Sequence, residues 1–255
     1  MTTPVSISRD GRTNILRLTR PEKMNALTAP MYKTLSDAME AAEADPEISV
    51  HVIFGSGGVF SAGNDIGDFL ATAEGTDNLR GEVLRFVKLL PVIDKPFIAA
   101  VDGKAIGIGT TLLFHCDLVY ATETSTFATP FLDLGLIPEA ASSLLAPRLM
   151  GYARAFELLV LGEVFTAARA RDAGFVNAIV GAEQLEEKTL QAARTLAAKP
   201  PEALAIARRL MRGDRADVIA RTNEEVAAFR QRLASDEARE AFVAFFEKRA
   251  PNFKR

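Results

Sequence analysis

Two segments of this chain share one layout, and that layout restricts the possible folds more than any other feature of the sequence. Each begins with a short apolar run, passes through glycines and ends in residues able to open a helix: His51-Val-Ile-Phe-Gly-Ser-Gly-Gly-Val-Phe-Ser-Ala-Gly-Asn-Asp-Ile and Phe97-Ile-Ala-Ala-Val-Asp-Gly-Lys-Ala-Ile-Gly-Ile-Gly-Thr-Thr-Leu-Leu. Both read as strand, tight turn and helix N-terminus. The first N–H groups of a helix have no partner within it, and the macrodipole adds partial positive charge there, so such ends attract oxyanions. Glycine lets the backbone approach a ligand and adopt positive φ, which makes Gly63, Gly107 and Gly109 the residue type these turns need. Taken singly, either turn is no more than an ordinary strand-to-helix connection.

The rest of the pattern is α/β. Val5 to Thr19 alternates around Asp10-Gly11 and predicts a hairpin. Helical spacing runs from Ala29 to Asp45 and stops before Pro46. Val50 to Phe54, Phe97 to Val101, Asp117 to Ala121 and Phe175 to Val180 read as strands. Helices are expected over Leu79 to Leu90, Thr110 to His115, Ala140 to Met150, Ala153 to Leu161 and Ala167 to Ala173. Strands separated by helices argue for parallel crossovers, and periodicity alone allows a doubly wound sheet. From Ala182 onward only helices are expected: Leu185 to Ala198, Pro201 to Arg212, Ala216 to Leu233 and Asp236 to Lys248. The chain divides on this reading into a core over 1–195 and a helical region over 196–255. The run Arg208, Arg209, Arg212, Arg215 reads as a solvated face.

At 255 residues with 48% hydrophobic residues the chain can bury a large single core. A net charge of −3 and a pI near 5.6 argue against nonspecific nucleic-acid binding. The single cysteine, Cys116, excludes an intrachain disulfide and fits a reducing compartment. No apolar signal core or membrane-length run is present, and the ending Phe253-Lys-Arg lacks a Ser-Lys-Leu address, so a cytoplasmic location and no membrane partner are expected. His115-Cys116-Asp117 has no second ligand pair at metal spacing, so no metal is expected and His115 reads as buried filler. Gly55-Ser-Gly-Gly and Gly107-Ile-Gly fail the dinucleotide fingerprint at its third glycine.

Four segments in order, Leu18-Thr-Arg-Pro-Glu-Lys-Met-Asn-Ala-Leu, Phe60-Ser-Ala-Gly-Asn-Asp-Ile, Ala105-Ile-Gly-Ile-Gly-Thr-Thr-Leu-Leu and Thr129-Pro-Phe-Leu-Asp-Leu-Gly-Leu-Ile-Pro-Glu, followed by the tail Ala244-Phe-Phe-Glu-Lys-Arg-Ala-Pro-Asn-Phe-Lys, resemble the enoyl-CoA hydratase/isomerase (crotonase) superfamily. The resemblance covers nearly the whole chain. It implies the ClpP/crotonase fold, a spiral of ββα units with a C-terminal helical region, assembled as a homotrimer or a dimer of trimers. It implies an acyl-CoA thioester substrate, with coenzyme A part of the substrate and no separate cofactor. The thioester oxygen would be held by the backbone N–H groups of Asn64 and Ile108. Contacts to CoA or the acyl chain carry over to Arg20, Lys23, Met24, Ala26, Ala62, Gly63, Asp65, Ile66, Gly107, Phe131 and Lys248, with Arg249 a further basic candidate.

Departures from the family's hydratases indicate which reaction to expect. Hydratases orient water with two glutamates, and this chain has Thr111 and Phe131 at those positions, neither able to act as a general base at neutral pH. Glu139, one short turn further on, is where the peroxisomal-type Δ3,Δ2-enoyl-CoA isomerases carry their single glutamate. One carboxylate suffices to take a proton from C2 of a 3-enoyl thioester and return one to C4. Its apolar surroundings would raise its pKa toward neutrality. Without the two turns, Glu139 would read as a first-turn acid of the helix from Ala140. Asp65 reads as a helix cap, Asp68 as part of a loop over the acyl chain, and Asp133 as a reserve catalytic acid. The alternatives are a hydratase or hydrolase with water placed by Glu139 and Asp133, and a non-catalytic acyl-CoA binder.

Overall fold

A computed structural model describes residues 4–65, 67 and 79–253. The hairpin is β1 (Val5–Asp10) and β2 (Thr13–Leu18), turned through Gly11 at φ 56°. Helix α1 (Ala29–Ala44) leads to β3 (Val50–Phe54), α2 (Leu79–Leu89) to β4 (Phe97–Val101), and further on come β6 (Leu118–Thr122) and β9 (Ala178–Val180). These strands form one six-stranded sheet in the order β1-β2-β3-β4-β6-β9, parallel from β2 onward with β1 antiparallel on the edge. Every residue of β3 and β4 is buried, as expected of parallel strands covered on both faces. Val50, Val52, Phe54, Ile98 and Ala100 pack beneath Leu185 and Ala193 of helix α7 (Ala182–Ala197). Ile53, Ala99 and Val101 face the other way, onto Leu35 and Met39 of α1 and Phe86 of α2.

A second sheet was not legible in the sequence. It joins β5 (Lys104–Ile106), β7 (Thr126–Ala128) and β8 (Phe165–Thr166), strands of two or three residues that are too short to display a period. Ser61 pairs with Ala105 and so extends this sheet toward the first glycine turn. Two of the long strands are thus followed by a short strand and then a helix: β4, β5 and α3 (Ile108–Thr111), then β6, β7 and α4 (Ser142–Met150). This is the ββα repeat, not a doubly wound sheet. Helices α5 (Tyr152–Leu159) and α6 (Ala167–Ala173) complete the central region.

Helices α8 (Pro201–Arg212), α9 (Arg215–Leu233) and α10 (Asp236–Glu247) follow α7. Here the expectation of a solvated arginine face is overturned. Arg208 is 8% exposed; its Nη1 donates to the carbonyls of Ile93 at 2.8 Å and Asp94 at 3.1 Å, and its Nε donates to Asp117 at 2.9 Å. Arg212, one helical turn on, donates to the same Asp117 at 3.0 Å and to the His115 carbonyl, and Arg215 pairs with Asp94. Of the four, Arg209 alone is largely exposed. Spacing of four residues stacks Arg208 and Arg212 on one face of α8, and that face meets a carboxylate and carbonyls left open at a chain turn. The opposite side of α8 is apolar and exposed, with Ile206 at 41% and Leu210 at 73%. Among the described residues no helix is long and apolar enough to cross a membrane.

Candidate active site

The two glycine turns touch. A Cβ built on Gly63 would lie 2.7 Å from the Ile106 carbonyl oxygen and 3.7 Å from the Gly107 Cα, and one on Gly109 would meet Ser61 at 3.0 Å. Gly63 (φ 85°) and Gly107 (φ 57°) both occupy the left-handed region where side chains are strained. Ser61 Oγ locks the first turn, accepting from the Gly63 N–H at 3.1 Å and donating to the Asn25 carbonyl at 3.0 Å. Asn25 Nδ2 donates to the carbonyls of Ser56 and Val59 at 3.0 and 2.7 Å, tying the loop's start to its end.

Most amides around these glycines are used within the protein. Ala62, Gly63 and Asp65 donate to Met24, Ser61 Oγ and Leu27, and Gly107 donates to Ala128. The N–H groups of Asn64, Ile108 and Gly109 have no acceptor among the described residues, and those of Asn64 and Ile108 are the two at the facing ends of the turns. Ile108 is the first residue of α3, where no intrahelical partner exists. Asn64 is fixed from its side chain: Tyr32 Oη donates to its Oδ1 at 2.5 Å.

Glu139 is buried at 7% exposure. Its carbonyl accepts the Ser142 N–H at 3.1 Å, while its carboxylate accepts from Thr111 Oγ1 on α3. It is therefore not a first-turn capping acid. The helix expected from Ala140 begins instead at Ser142, because Ala140 and Ala141 sit at φ 57° and 54°, outside helical space. Burial pushes the Glu139 carboxyl up to about 8; the Thr111 hydroxyl opposes the rise, and the nearby Glu225 carboxylate adds to it. Burial, and then the charge of Glu139, raise the Tyr32 phenol as well. Tyr32 thus lies within the electrostatic reach of Glu139 while it holds Asn64. The second turn is tied directly to the acid through Thr111, while the first is held by Tyr32, whose phenol feels the acid's charge.

The sign of that shift has a consequence for stability. A carboxyl held at about 8 when folded, against an ordinary 4.5, binds its proton more tightly in the folded chain. Its contribution is fully present below 4.5 and is lost as pH rises through about 8. Glu139→Gln should therefore be indifferent at low pH and gain stability relative to the parent as pH climbs through this window. Urea melts at successive pH values check this; a constant difference between the two proteins would contradict it.

Other expected residues are distributed unevenly. Asp65 Oδ1 accepts from the Gly67 N–H at 3.0 Å, as a cap would, and its Oδ2 accepts from Arg20 at 2.8 Å. Arg20 also reaches the Ala26 carbonyl at 3.1 Å, so much of its donor capacity is spent within the protein. Lys23, Met24 and Lys248 are exposed, Ala26 and Ala62 are half-buried, and Phe131 is buried in the core. Arg249 pairs with Glu240 and Glu247. Ile66, Asp68 and the stretch 69–78 lie outside the described residues. Asp133 does not join the buried acid: it is exposed, its Oδ2 lies beside Gly162, and the short turn Leu132–Leu134 directs it outward.

His115 is buried, with burial lowering it to about 4, so it is neutral at physiological pH. Its Nε2–H donates to the Ala140 carbonyl at 2.7 Å, which makes it a support for the turn beside Glu139 as well as filler. Cys116 is half-buried, and desolvation raises its thiol away from reactivity. Sequence reading missed Tyr32, Asn25 and Glu225. Tyr32 falls in the apolar stripe of α1 and is indistinguishable there from ordinary core. Glu225 sits in Asn223-Glu-Glu, which resembles any polar helix face.

A family model described as enoyl-CoA hydratase/isomerase matches residues 12–255. The chain belongs to that family. It is 34% identical to enoyl-CoA delta isomerase 2 of Rattus norvegicus over 94% of its own length; it spans 63% of that relative. It is 33% identical to 2,3-dehydroadipyl-CoA hydratase of Escherichia coli, with 97% of both chains covered. Among solved structures it is similar to an enoyl-CoA hydratase/isomerase from Pseudoalteromonas atlantica, at 37% identity and a TM-score of 0.92 over 99% of this chain and all of the other. The fold is therefore the crotonase fold, and family membership extends the resemblance toward the delta isomerases.

Proposed function

We propose that the protein is a Δ3,Δ2-enoyl-CoA isomerase that moves a C3=C4 double bond of an acyl-CoA to C2=C3, with Glu139 as its acid and base. The observation that carries this reading is the buried Glu139 carboxylate held against the second glycine turn by Thr111, with no carboxylate at position 111 or 131 to share the work. In this scheme ionised Glu139 takes a proton from C2, and the released electron pair passes through the thioester carbonyl to give a dienolate. The free amides of Asn64 and Ile108 donate to the resulting oxyanion. Protonated Glu139 then delivers the proton to C4, electrons return from oxygen, and the conjugated product leaves with the acid ionised again. No water enters.

Removal of one such oxyanion donor typically costs roughly 2.7–4 kcal/mol of barrier. A carboxyl raised to about 8 is a stronger base than an ordinary glutamate once ionised, and its pKa lies near working pH. Gly63 and Gly107 shape the turns. Arg20, Lys23, Met24, Ala26, Ala62, Asp65, Ile66, Phe131 and Lys248 are proposed contacts to CoA and the acyl chain. A homotrimer or dimer of trimers is proposed as well, supported by exposed Leu210, Met211, Phe245 and Phe246 on the terminal helices. Light scattering that returns a single-chain mass would reject it.

Thr111→Val tests the hydroxyl. Its bond lowers the Glu139 pKa, so its loss should move the acidic limb of the kcat profile to higher pH and reduce kcat at neutrality. An unmoved limb would remove Thr111 from the scheme. Full-length similarity to the Escherichia coli hydratase favours a second reading, hydration of a 2-enoyl-CoA. Assays of 3-enoyl-CoA and 2-enoyl-CoA separate the readings. Isomerisation of the former as the dominant turnover supports the proposal; dominant hydration of the latter overturns it, and tight binding with no turnover would leave a binding protein.

A further inference from the structure

Glu225 is the second buried carboxylate beside Glu139, and it comes from a different element, helix α9. It is 5% exposed. Its Oε1 accepts from the Ser143 N–H at 3.0 Å and from Ser143 Oγ at 2.5 Å; the Ala141 amide also acts on this carboxylate. Its Oε2 is buried with no partner among the described residues. Helix α4 starts with Ala141 at the capping position, whose methyl group cannot accept a hydrogen bond, so the opening amides need an acceptor from elsewhere. Glu225, 82 residues further along the chain, supplies it.

What it grips is the turn at Ala140 and Ala141, two non-glycine residues at positive φ immediately after Glu139. Such a conformation persists only where its surroundings hold it. His115 secures one side through the Ala140 carbonyl, and Glu225 secures the other through Ser143. We propose that Glu225 is a positioning residue for the reaction, clamping the left-handed turn that presents the Glu139 carboxylate to substrate. This rests on the reading of Glu139 as the base.

A glutamine would avoid the cost of burying a charge but would hold these amides more weakly, since hydrogen bonds to an ionised acceptor are roughly twice as strong as neutral ones. The charge has a use: as a like neighbour it favours the protonated form of Glu139, so that the ionised acid is a stronger base. The other groups facing the pair are few. Thr111 and Tyr32 face Glu139; burial pushes the Glu225 carboxyl up, against the opposing pull of Ser143, Ala141 and Arg221, which donates to Ser143 Oγ at 3.0 Å, and His115 behind Ala140 is neutral.

The test is Glu225→Gln, read by the pH profile of 3-enoyl-CoA turnover and by carbon-13 NMR titration of the Glu139 carboxyl, assigned with Glu139→Gln. The expected result is an apparent Glu139 pKa shifted to lower pH in both measurements, with kcat on the alkaline plateau down about tenfold to a hundredfold and KM little changed. Loss of folding alone would lower activity without shifting the limb. An unmoved titration, or a change in KM with kcat intact, overturns the proposal. The titration needs no substrate, so a shifted Glu139 in a protein that does not isomerise would reject the isomerase reading and leave the coupling standing. Should Glu225→Gln fail to fold, Glu225→Asp keeps the charge and withdraws the oxygens from Ser143. It should lose kcat while the limb stays alkaline, and full activity there would also overturn the proposal.

Discussion

Glu139→Gln is expected to lower kcat for 3-enoyl-CoA isomerisation by about 10²–10⁴, the usual worth of a positioned acid–base group, and to leave acyl-CoA affinity close to that of the parent. Glutamine is nearly isosteric and keeps an oxygen to accept from Thr111, so the packing around position 139 is preserved. It cannot carry the proton. The change therefore isolates proton transfer from substrate binding, and kcat should fall with KM nearly constant. Steady-state kinetics with 3-enoyl-CoA, paired with calorimetric binding of a saturated acyl-CoA, give both numbers. A variant that kept more than about a tenth of parental kcat would show that another group moves the proton.

Gly63→Ala should be nearly as damaging for a different reason. Its added methyl group would sit 2.7 Å from the Ile106 carbonyl oxygen, at a φ of 85° that alanine rarely adopts. Neither strain can be relieved without parting the two turns, which moves the Asn64 amide relative to that of Ile108. A fall in kcat/KM of about 10²–10³ is expected, as for loss of one oxyanion donor. A stability loss of roughly 1–3 kcal/mol should accompany it. Gly11→Ala is the matched control: its φ is 56°, but nothing lies within 4 Å of the added carbon. It should cost about 1–2 kcal/mol of stability and no activity. Equal activity losses in the two variants would show that turn contact is irrelevant to catalysis.

How much of this could be read from the chain depends on where the physical signal resides. The long strands and most helices were legible because their burial is periodic or continuous: Val50–Phe54, Phe97–Val101, Ala167–Ala173 and Pro201–Arg212 match the expected bounds. The small sheet was not, since Lys104–Ile106 is held by backbone pairing to Thr126–Ala128 and leaves no composition signature. Helix α8 was misjudged from charge: arginine usually marks solvent, and only the third dimension reveals Asp117 and three open carbonyls beneath Arg208 and Arg212. At the site, glycines and Glu139 stood out because their residue types are demanded by geometry and chemistry. Tyr32 and Glu225 did not, because a phenol in an apolar stripe and an acid on a polar helix are common; their contacts to Asn64 and Ser143 span 32 and 82 residues.

The most direct test of a single acid carrying the proton, with no water added, is to follow 3-enoyl-CoA in oxygen-18 water by mass spectrometry. The expected product is 2-enoyl-CoA of unchanged mass, free of the label. A labelled 3-hydroxyacyl-CoA as the main product would contradict the account, because water would then be adding at C3 of the conjugated 2-enoyl-CoA and hydration, not proton transfer alone, would be the dominant turnover.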